Sequence, residues 1–391
     1  MDTQITPIHD KLWHKDFWLV AIACFMIEAS VYMLMTISPW WMASHFPEVA
    51  HGRILPLAMP QLATFVFGII TSWLLRCFRR KTVCFVMLIV MGAMLLMMSG
   101  VIKTASIMSI SQILLLRFIM GACYGLAMMI LNSSVIMDVC ESFHRTEANH
   151  SLTWIWRFAM AIGPTVILIF RNLIDDESLI ALIAPLPVLS AILILFVNLP
   201  FKAPDESNTF LSLDRFFLPL TWPVALLLLI TMTSTGIVLI TSLPSIFFVF
   251  MMIGFMIVVL GETRRMLLPT LPALLIIAIV PLLLLLAPNT LMTSIAAGLL
   301  TGIGVGSLGS RMLMSFVNLS DHCQRGTAQS TFFLSWETGV GLGIVCKYAI
   351  RLNTTQDPLI IATLLAAAGA ILYILFIRKW YINNKKREYN E

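Results

Sequence analysis

Long apolar runs separated by short polar breaks pattern this chain. They cover residues 17–43, 54–75, 82–102, 107–138, 149–170, 179–200, 217–242, 245–260, 267–287, 291–318, 328–350 and 358–377. A helix needs about 20 apolar residues to cross the hydrocarbon core of a bilayer. The pattern therefore predicts an all-α polytopic membrane protein with twelve transmembrane helices. The narrowest break is Leu243-Pro244, between the seventh and eighth runs.

An even number of crossings leaves both chain ends on one side. On that side fall Lys11, Lys15, Arg76, Arg79, Arg80, Lys81, Arg145, Lys202, Arg215, Arg264, Arg265, Arg325, Arg378, Lys379, Lys385, Lys386 and Arg387. The other side carries Arg53, Lys103, Arg171 and Arg351, with the acidic run Asp175, Asp176, Glu177. Cytoplasmic loops hold the Lys/Arg excess, so both termini are expected in the cytoplasm. The longest polar break, Phe201 to Asp214, lies near the middle on the same side. It suggests an N-terminal six-helix half (1–200), a cytoplasmic linker (201–216) and a C-terminal six-helix half (217–391) ending in a short basic tail. Two such parallel halves around a path at the bilayer midplane form a transporter plan.

The two halves echo each other. Arg145-Thr-Glu-Ala148-Asn149 and Arg325-Gly-Thr-Ala328-Gln329 stand 180 positions apart, and at that offset Ser151 meets Thr331, Trp156 meets Trp336, and Gly163 meets Gly343. One mismatch is informative: Arg157 falls opposite Glu337. A duplicated position inside an apolar run thus carries a cation in one half and an acid in the other.

Charges inside the runs are the candidate chemistry, because a charge at mid-bilayer costs a few kcal/mol and is kept for a protein interior or a wet cavity. Glu28 lies about 16 Å into the first run and Arg117 lies near mid-depth in the fourth, counting by helix rise. Such a pair can neutralise itself, either as a static lock between helices or as a proton-coupling couple. Arg157 and Glu337 lie roughly 12–14 Å in from the cytoplasmic side. They are expected to approach the central path from opposite halves, binding a charged substrate or gating the inner mouth; helix-packing polarity is the alternative. Tyr32, Trp156 and Trp336 fall near the same path. Asp138, Arg311, Lys347 and Arg351 stand near helix ends, where long side chains reach the interface. Gly121, Gly125, Gly163, Pro164, Gly339 and Gly343 allow close helix packing, and Pro164 bends its helix.

Composition narrows the classes. The 391 residues are 59% hydrophobic and 12% charged, with mean hydropathy +0.93. Soluble domains sit near a quarter charged. The net charge of +5 belongs to the loops, so no nucleic-acid partner is expected. The seven cysteines show no metal spacing and the seven histidines are scattered, so neither metal, cofactor nor enzyme chemistry is expected. No phosphate-cradling glycine-rich motif of the ATPase type occurs. Residues 1–16 are polar, and the next run is too long for a signal-peptide core.

These features resemble the major facilitator superfamily across the whole chain. Arg117-x-x-x-Gly121-x-x-x-Gly125 is similar to its fourth-helix motif, and Gly163-Pro164 is similar to the fifth-helix motif of antiporter members. Arg325-Gly-Thr-Ala328 through Trp336-Glu337 resembles bacterial drug/proton antiporter-like permeases, some of which pair a first-helix acid, as at Glu28, with the fourth-helix arginine. The loop after the second helix departs from the family pattern. Arg80 and Lys81 keep its basic end, but Ser72 replaces a glycine, Arg76 replaces the acid that latches the halves, and Arg79 replaces a second glycine. The resemblance implies a secondary transporter of a small molecule in the bacterial inner membrane. It would be proton-coupled, antiporter-like and monomeric, with the lipid bilayer, substrate and protons as its partners. A proton-coupled or facilitative importer, or a transport-deficient sensor, is the alternative.

Overall fold

The structure, a computed structural model, describes residues 11–46, 54–100, 109–140, 144–198, 210–241, 243–264, 266, 268–287, 290–349 and 357–386. His9, His51, Arg53, Lys103, Lys202, Arg265, Arg351, Arg387 and linker residues 201–209 lie outside the described residues.

Among the described residues the chain is helical throughout. It runs α1 (Lys15–His45), α2 (Ile54–Gly68), α3 (Thr71–Cys77), α4 (Arg80–Met98), α5 (Ile110–Ile130), α6 (Ile136–Val139), α7 (Arg145–Arg157), α8 (Ala159–Phe170) and α9 (Asp176–Ile183). It continues through α10 (Pro185–Leu195), α11 (Trp222–Ile240), α12 (Ser245–Thr263), α13 (Thr270–Leu286), α14 (Leu291–Leu319), α15 (Arg325–Ala349), α16 (Asp357–Leu372) and α17 (Arg378–Asn384). Several predicted runs fold as two stacked pieces. α5 and α6 join through a π turn at Leu131–Val135, and α2 and α3 bend by 59° across the break after Gly68. Among the described residues, nine helical spans are long and apolar enough to cross a bilayer, or ten with the bent pair. The chain is thus an integral membrane protein. The twelvefold count is not reached on that measure: α13 has only 17 residues, and α15 is rich in Ser, Thr and Gly.

The helices pack as two groups. α1, α2, α4, α5 and α7–α10 contact one another, and so do α11–α16. The groups meet mainly where α8 lies on α12, where α2 lies on α15, and where α15 crosses the π turn. Glycines permit the tightest contacts within each group. A Cβ at Gly121 would stand 2.3 Å from the Pro60 backbone, and one at Gly343 would stand 2.3 Å from the Thr233 carbonyl oxygen. No larger side chain fits either contact without moving backbone. Gly125 lies against Thr64, Gly163 against α1 and Gly339 against α11. Outer faces carry bare apolar side chains, such as Leu115, Leu260, Leu364 and Leu375. Such faces suit lipid as their solvent.

Two ends are distinguishable. At one, here called the basic end, Lys81 donates to the Leu195 carbonyl, Arg80 pairs with Asp138, and Lys386 pairs with Asp321. At the far end Arg171 stacks over Trp40 at 3.6 Å and His45 meets Glu177 at 3.1 Å. There Asp175 caps α9: the Ser178 backbone N–H and hydroxyl donate to it and hold its carboxyl below the usual range.

Candidate functional site

Four side chains from three helices meet at the centre. Glu28 and Tyr32 stand one turn apart on α1, Tyr124 comes from α5 and Glu337 from α15. The Tyr32 hydroxyl donates to Glu337 Oε1 at 2.8 Å, and the Tyr124 hydroxyl donates to Glu28 Oε2 at 2.9 Å. All four are buried, with Glu28 at 0% exposure and Glu337 at 3%. Glu28 Oε1 and Glu337 Oε2 have no hydrogen-bond partner. Among the described residues neither acid is in an ion pair. Two carboxyl groups from different helix groups therefore share an apolar centre with hydroxyls as their neighbours.

The expected Glu28–Arg117 pair is not formed. Arg117 instead donates to the Ser38 hydroxyl, which in turn donates to the Leu34 carbonyl. The reason is register. α5 begins at Ile110, not at 107, so Arg117 is seven residues, about 10 Å, inside its helix. α1 and α5 run antiparallel, so Arg117 falls level with Ser38 while Tyr124 falls level with Glu28. Residues 117, 120, 121 and 124 share one face of α5 by helical spacing.

That face borders a cavity closed by α1, α2 and α15. Arg117, Tyr124, Gln61, Thr64, Glu337 and Thr338 supply its polar lining; Leu34, Met35, Leu57, Met91, Met120 and Ile344 supply apolar lining. Its free space is about 30 Å³. That is room for one or two waters.

Arg157 and Glu337 are both buried and neither faces lipid, but they do not pair. The Arg157 guanidinium is enclosed by the rings of Trp154, Trp336 and Phe332, at 5.0, 5.3 and 5.4 Å from their centroids. It also donates to Ser310 Oγ at 3.4 Å. Residues 332 and 336 share one face of α15 and take Arg157; residues 333 and 337 share the next face, where Phe333 meets the Tyr124 ring and Glu337 takes the Tyr32 hydroxyl. One step along a helix is a rotation of about 100°, which turns Glu337 away from Arg157. Trp156 meets Trp336 edge-on at 6.0 Å. Pro164 lies inside α8 near Tyr32, on a second small cavity at the far-end side.

Below the aromatic layer, side-chain contacts join the two helix groups at the basic end. Glu262 Oε2 of α12 accepts from Trp154 Nε1 at 2.7 Å and lies 2.8 Å from His150 Nε2. Gln329 of α15 donates to Thr153 of α7 at 3.0 Å. The linker adds a clasp. Asp214 accepts from Thr327 on the first turn of α15 at 3.0 Å, and Ser72 of α3 donates to the Asp214 carbonyl at 2.9 Å. Arg215 donates its backbone N–H to Thr327 and its guanidinium to Ser134, both at 2.9 Å. It holds φ 57°, the one positive φ at a non-glycine residue among those described. Such a backbone persists only where its surroundings fix it. So an acid does bridge this loop region to α15, but it comes from the linker, not from position 76. Arg80 donates to Ser134 Oγ at 2.8 Å beside its Asp138 partner, Lys81 reaches Leu195, and Arg76 is half-buried on α3.

Tyr124, Gln61, Ser38, Glu262 and Asp214 were not among the residues expected to form the site. Tyr124 had a legible signal, since it lies seven positions from Arg117 on one helical face. The others are polar residues whose partners lie far away in sequence.

No family model matches the sequence, and no curated protein matches it. Among solved structures, the fold is similar to a bacterial homologue of the human lysosomal transporter Spinster, in an inward-facing and unoccupied conformation. The two are 11% identical over 97% of this chain and 100% of that one, with a TM-score of 0.67. At that identity the likeness carries architecture only: this chain shares the fold of that transporter.

Proposed function

We propose that the chain is a secondary transporter whose central carboxyl groups, Glu28 and Glu337, carry an exchangeable proton in antiport with a small molecule. The observation behind this reading is the central pair itself. Two buried acids, contributed by α1 and α15, each hold one tyrosine hydroxyl and have no cation within ion-pair distance among the described residues. An unpaired carboxylate is too costly to leave charged in an apolar centre, so a proton is the natural neutraliser. Removing or sharing that proton requires a change in the surroundings, which links protonation to helix movement.

In this reading the two helix groups are six-helix halves, 1–200 and 217–391, joined by the 201–216 linker. α13 and α15 complete twelve crossings. The basic end is cytoplasmic, in a bacterial inner membrane, and a monomer suffices because the path lies within one chain. The Trp154–Glu262–His150 contact, the Thr153–Gln329 contact and the Asp214 clasp form the closed inner gate. The 30 Å³ cavity is the contracted substrate site. Substrate enters when α2 and α15 part, and inward release requires the inner gate to break.

The test is transport by purified protein in liposomes, with a panel of labelled small molecules and an imposed proton gradient of either sign. A gradient that accelerates movement of at least one compound supports the reading. Movement indifferent to the gradient would make the protein a facilitator.

A further inference from the structure

The contracted cavity also bears on what is carried, and this step rests on the transporter reading above. Three buried polar atoms on its wall have no hydrogen-bond partner: Arg117 Nε, Gln61 Oε1 and Glu337 Oε2. Arg117 is 2% exposed and Glu337 3%. Among the described residues no carboxylate pairs with Arg117 and no cation pairs with Glu337. The donor lies at the far-end side of the cavity. Glu337 lies toward its centre, where Tyr32 and Tyr124 also converge. Much of the remaining lining is apolar, including Leu34, Leu57 and Met91.

We propose that this cavity binds an elongated zwitterion, with an oxyanion on Arg117, an ammonium group on Glu337 and Gln61, and an apolar body between them. Chemistry sets the two ends. A guanidinium with a free N–H takes a carboxylate or phosphate through charge-assisted hydrogen bonds. A carboxylate and an amide oxygen take an N–H donor of positive charge. A purely cationic ligand would leave Arg117 buried without an anion, and a purely anionic one would meet the Glu337 carboxyl. Spacing argues against an α-amino acid. Arg117 and Tyr124, which marks the acidic end, are seven residues apart on α5, roughly 10 Å by helix rise. The two charges of an α-amino acid sit on adjacent atoms of one carbon and cannot span that distance. The wall that must move is α2, which contributes Gln61, is interrupted by Pro60 and breaks from α3 at 59°. A cation at Glu337 would also compete with a proton there, which is how substrate and proton would exclude each other.

The probes are tri-leucine, its C-terminal amide and its N-acetyl derivative. They share one apolar body and carry both charges, only the cation, or only the anion. Binding to the full-length protein is read by calorimetry and by the midpoint of thermal unfolding. Tri-leucine is expected to bind about tenfold or more tightly than either analogue, the step expected for one lost charge-assisted contact. Arg117→Lys, which keeps a cation if Arg117→Gln misfolds, should weaken tri-leucine and leave the amide unchanged. A matching series built on a phosphate-headed amphiphile with a free amine separates a carboxylate ligand from a phosphate one. Equal or tighter binding of the amide, or no binding by any zwitterion in either series, overturns the assignment. If the amide alone binds and exchanges for protons, the transporter reading stands without the zwitterion. If tri-leucine binds but never crosses the membrane, the site stands and the transporter reading fails.

Discussion

Tyr32 of α1 donates its hydroxyl to Glu337 of α15 across 2.8 Å, joining two residues that lie 305 positions apart in sequence. The contact spans the two helix groups at their centre. Any movement that separates α1 from α15 must break it and leave the Glu337 carboxyl without that donor. Replacing the hydroxyl isolates this link. Tyr32→Phe should insert and fold, costing about 1–3 kcal/mol because a buried acceptor loses its partner. It should also move the pH dependence of transport, while Tyr124→Phe does the same through Glu28. Coupling between Tyr32→Phe and Glu337→Gln in a double-mutant cycle checks the contact; strict additivity would contradict it.

Arg157 is enclosed by aromatic rings and, among the described residues, is in no ion pair. Trp336→Leu should therefore destabilise the protein in a way coupled to Arg157→Gln by about 1–2 kcal/mol, the range for a desolvated cation over a ring. Arg157→Gln and Glu337→Gln should instead be nearly additive in melting temperature. A strong Arg157–Glu337 coupling in thermal unfolding would mean that the two charges do meet.

Gly121 faces the backbone of Pro60, and no side chain there can rotate away. Gly121→Ala should lower stability by about 1–3 kcal/mol through overpacking, and it should impair transport by forcing α2 off α5. Thermal unfolding in detergent measures it, with Gly261→Ala as the comparison, since a Cβ at Gly261 meets nothing nearer than 3.6 Å. Equal effects at the two positions would show that the close approach is not limiting.

In the proposed reading the Asp214 clasp closes the basic end. Asp214→Ala should raise the reactivity of a cysteine placed at Thr153 or Gln329 toward a membrane-impermeant thiol reagent applied from that side, severalfold over the same cysteine in the parent. Unchanged reactivity would mean that the Glu262 contacts hold the end shut without the linker.

Much of the architecture was legible in the sequence because lipid imposes a simple rule on composition. The apolar runs matched helices to within a few residues: 291–318 became Leu291–Leu319, and 245–260 became Ser245–Thr263. The break at Leu243-Pro244 survived, with α12 starting at Ser245. The pairings were not legible. Counting Arg117 from a helix start three residues early put it at the depth of Glu28, although its true level is that of Ser38. The repeat located Arg157 and Glu337 at equivalent positions but carried no information on side-chain direction, and one residue of helical phase separates the face that takes Arg157 from the face that holds Glu337. The segment after the second apolar run carried Arg76 where the resembled family has an acid; that Asp214 bridges the same region could come only from the folded chain.

The central claim is that Glu28 and Glu337 carry the proton. Its most direct test is proton flux in liposomes enclosing a pH-sensitive dye, recorded when a transported substrate is added outside to the parent, to Glu28→Gln and to Glu337→Gln. The account predicts substrate-evoked proton movement in the parent and none in either variant, with Glu28→Gln still exchanging labelled for unlabelled substrate across the membrane. Undiminished proton movement in both variants would contradict it.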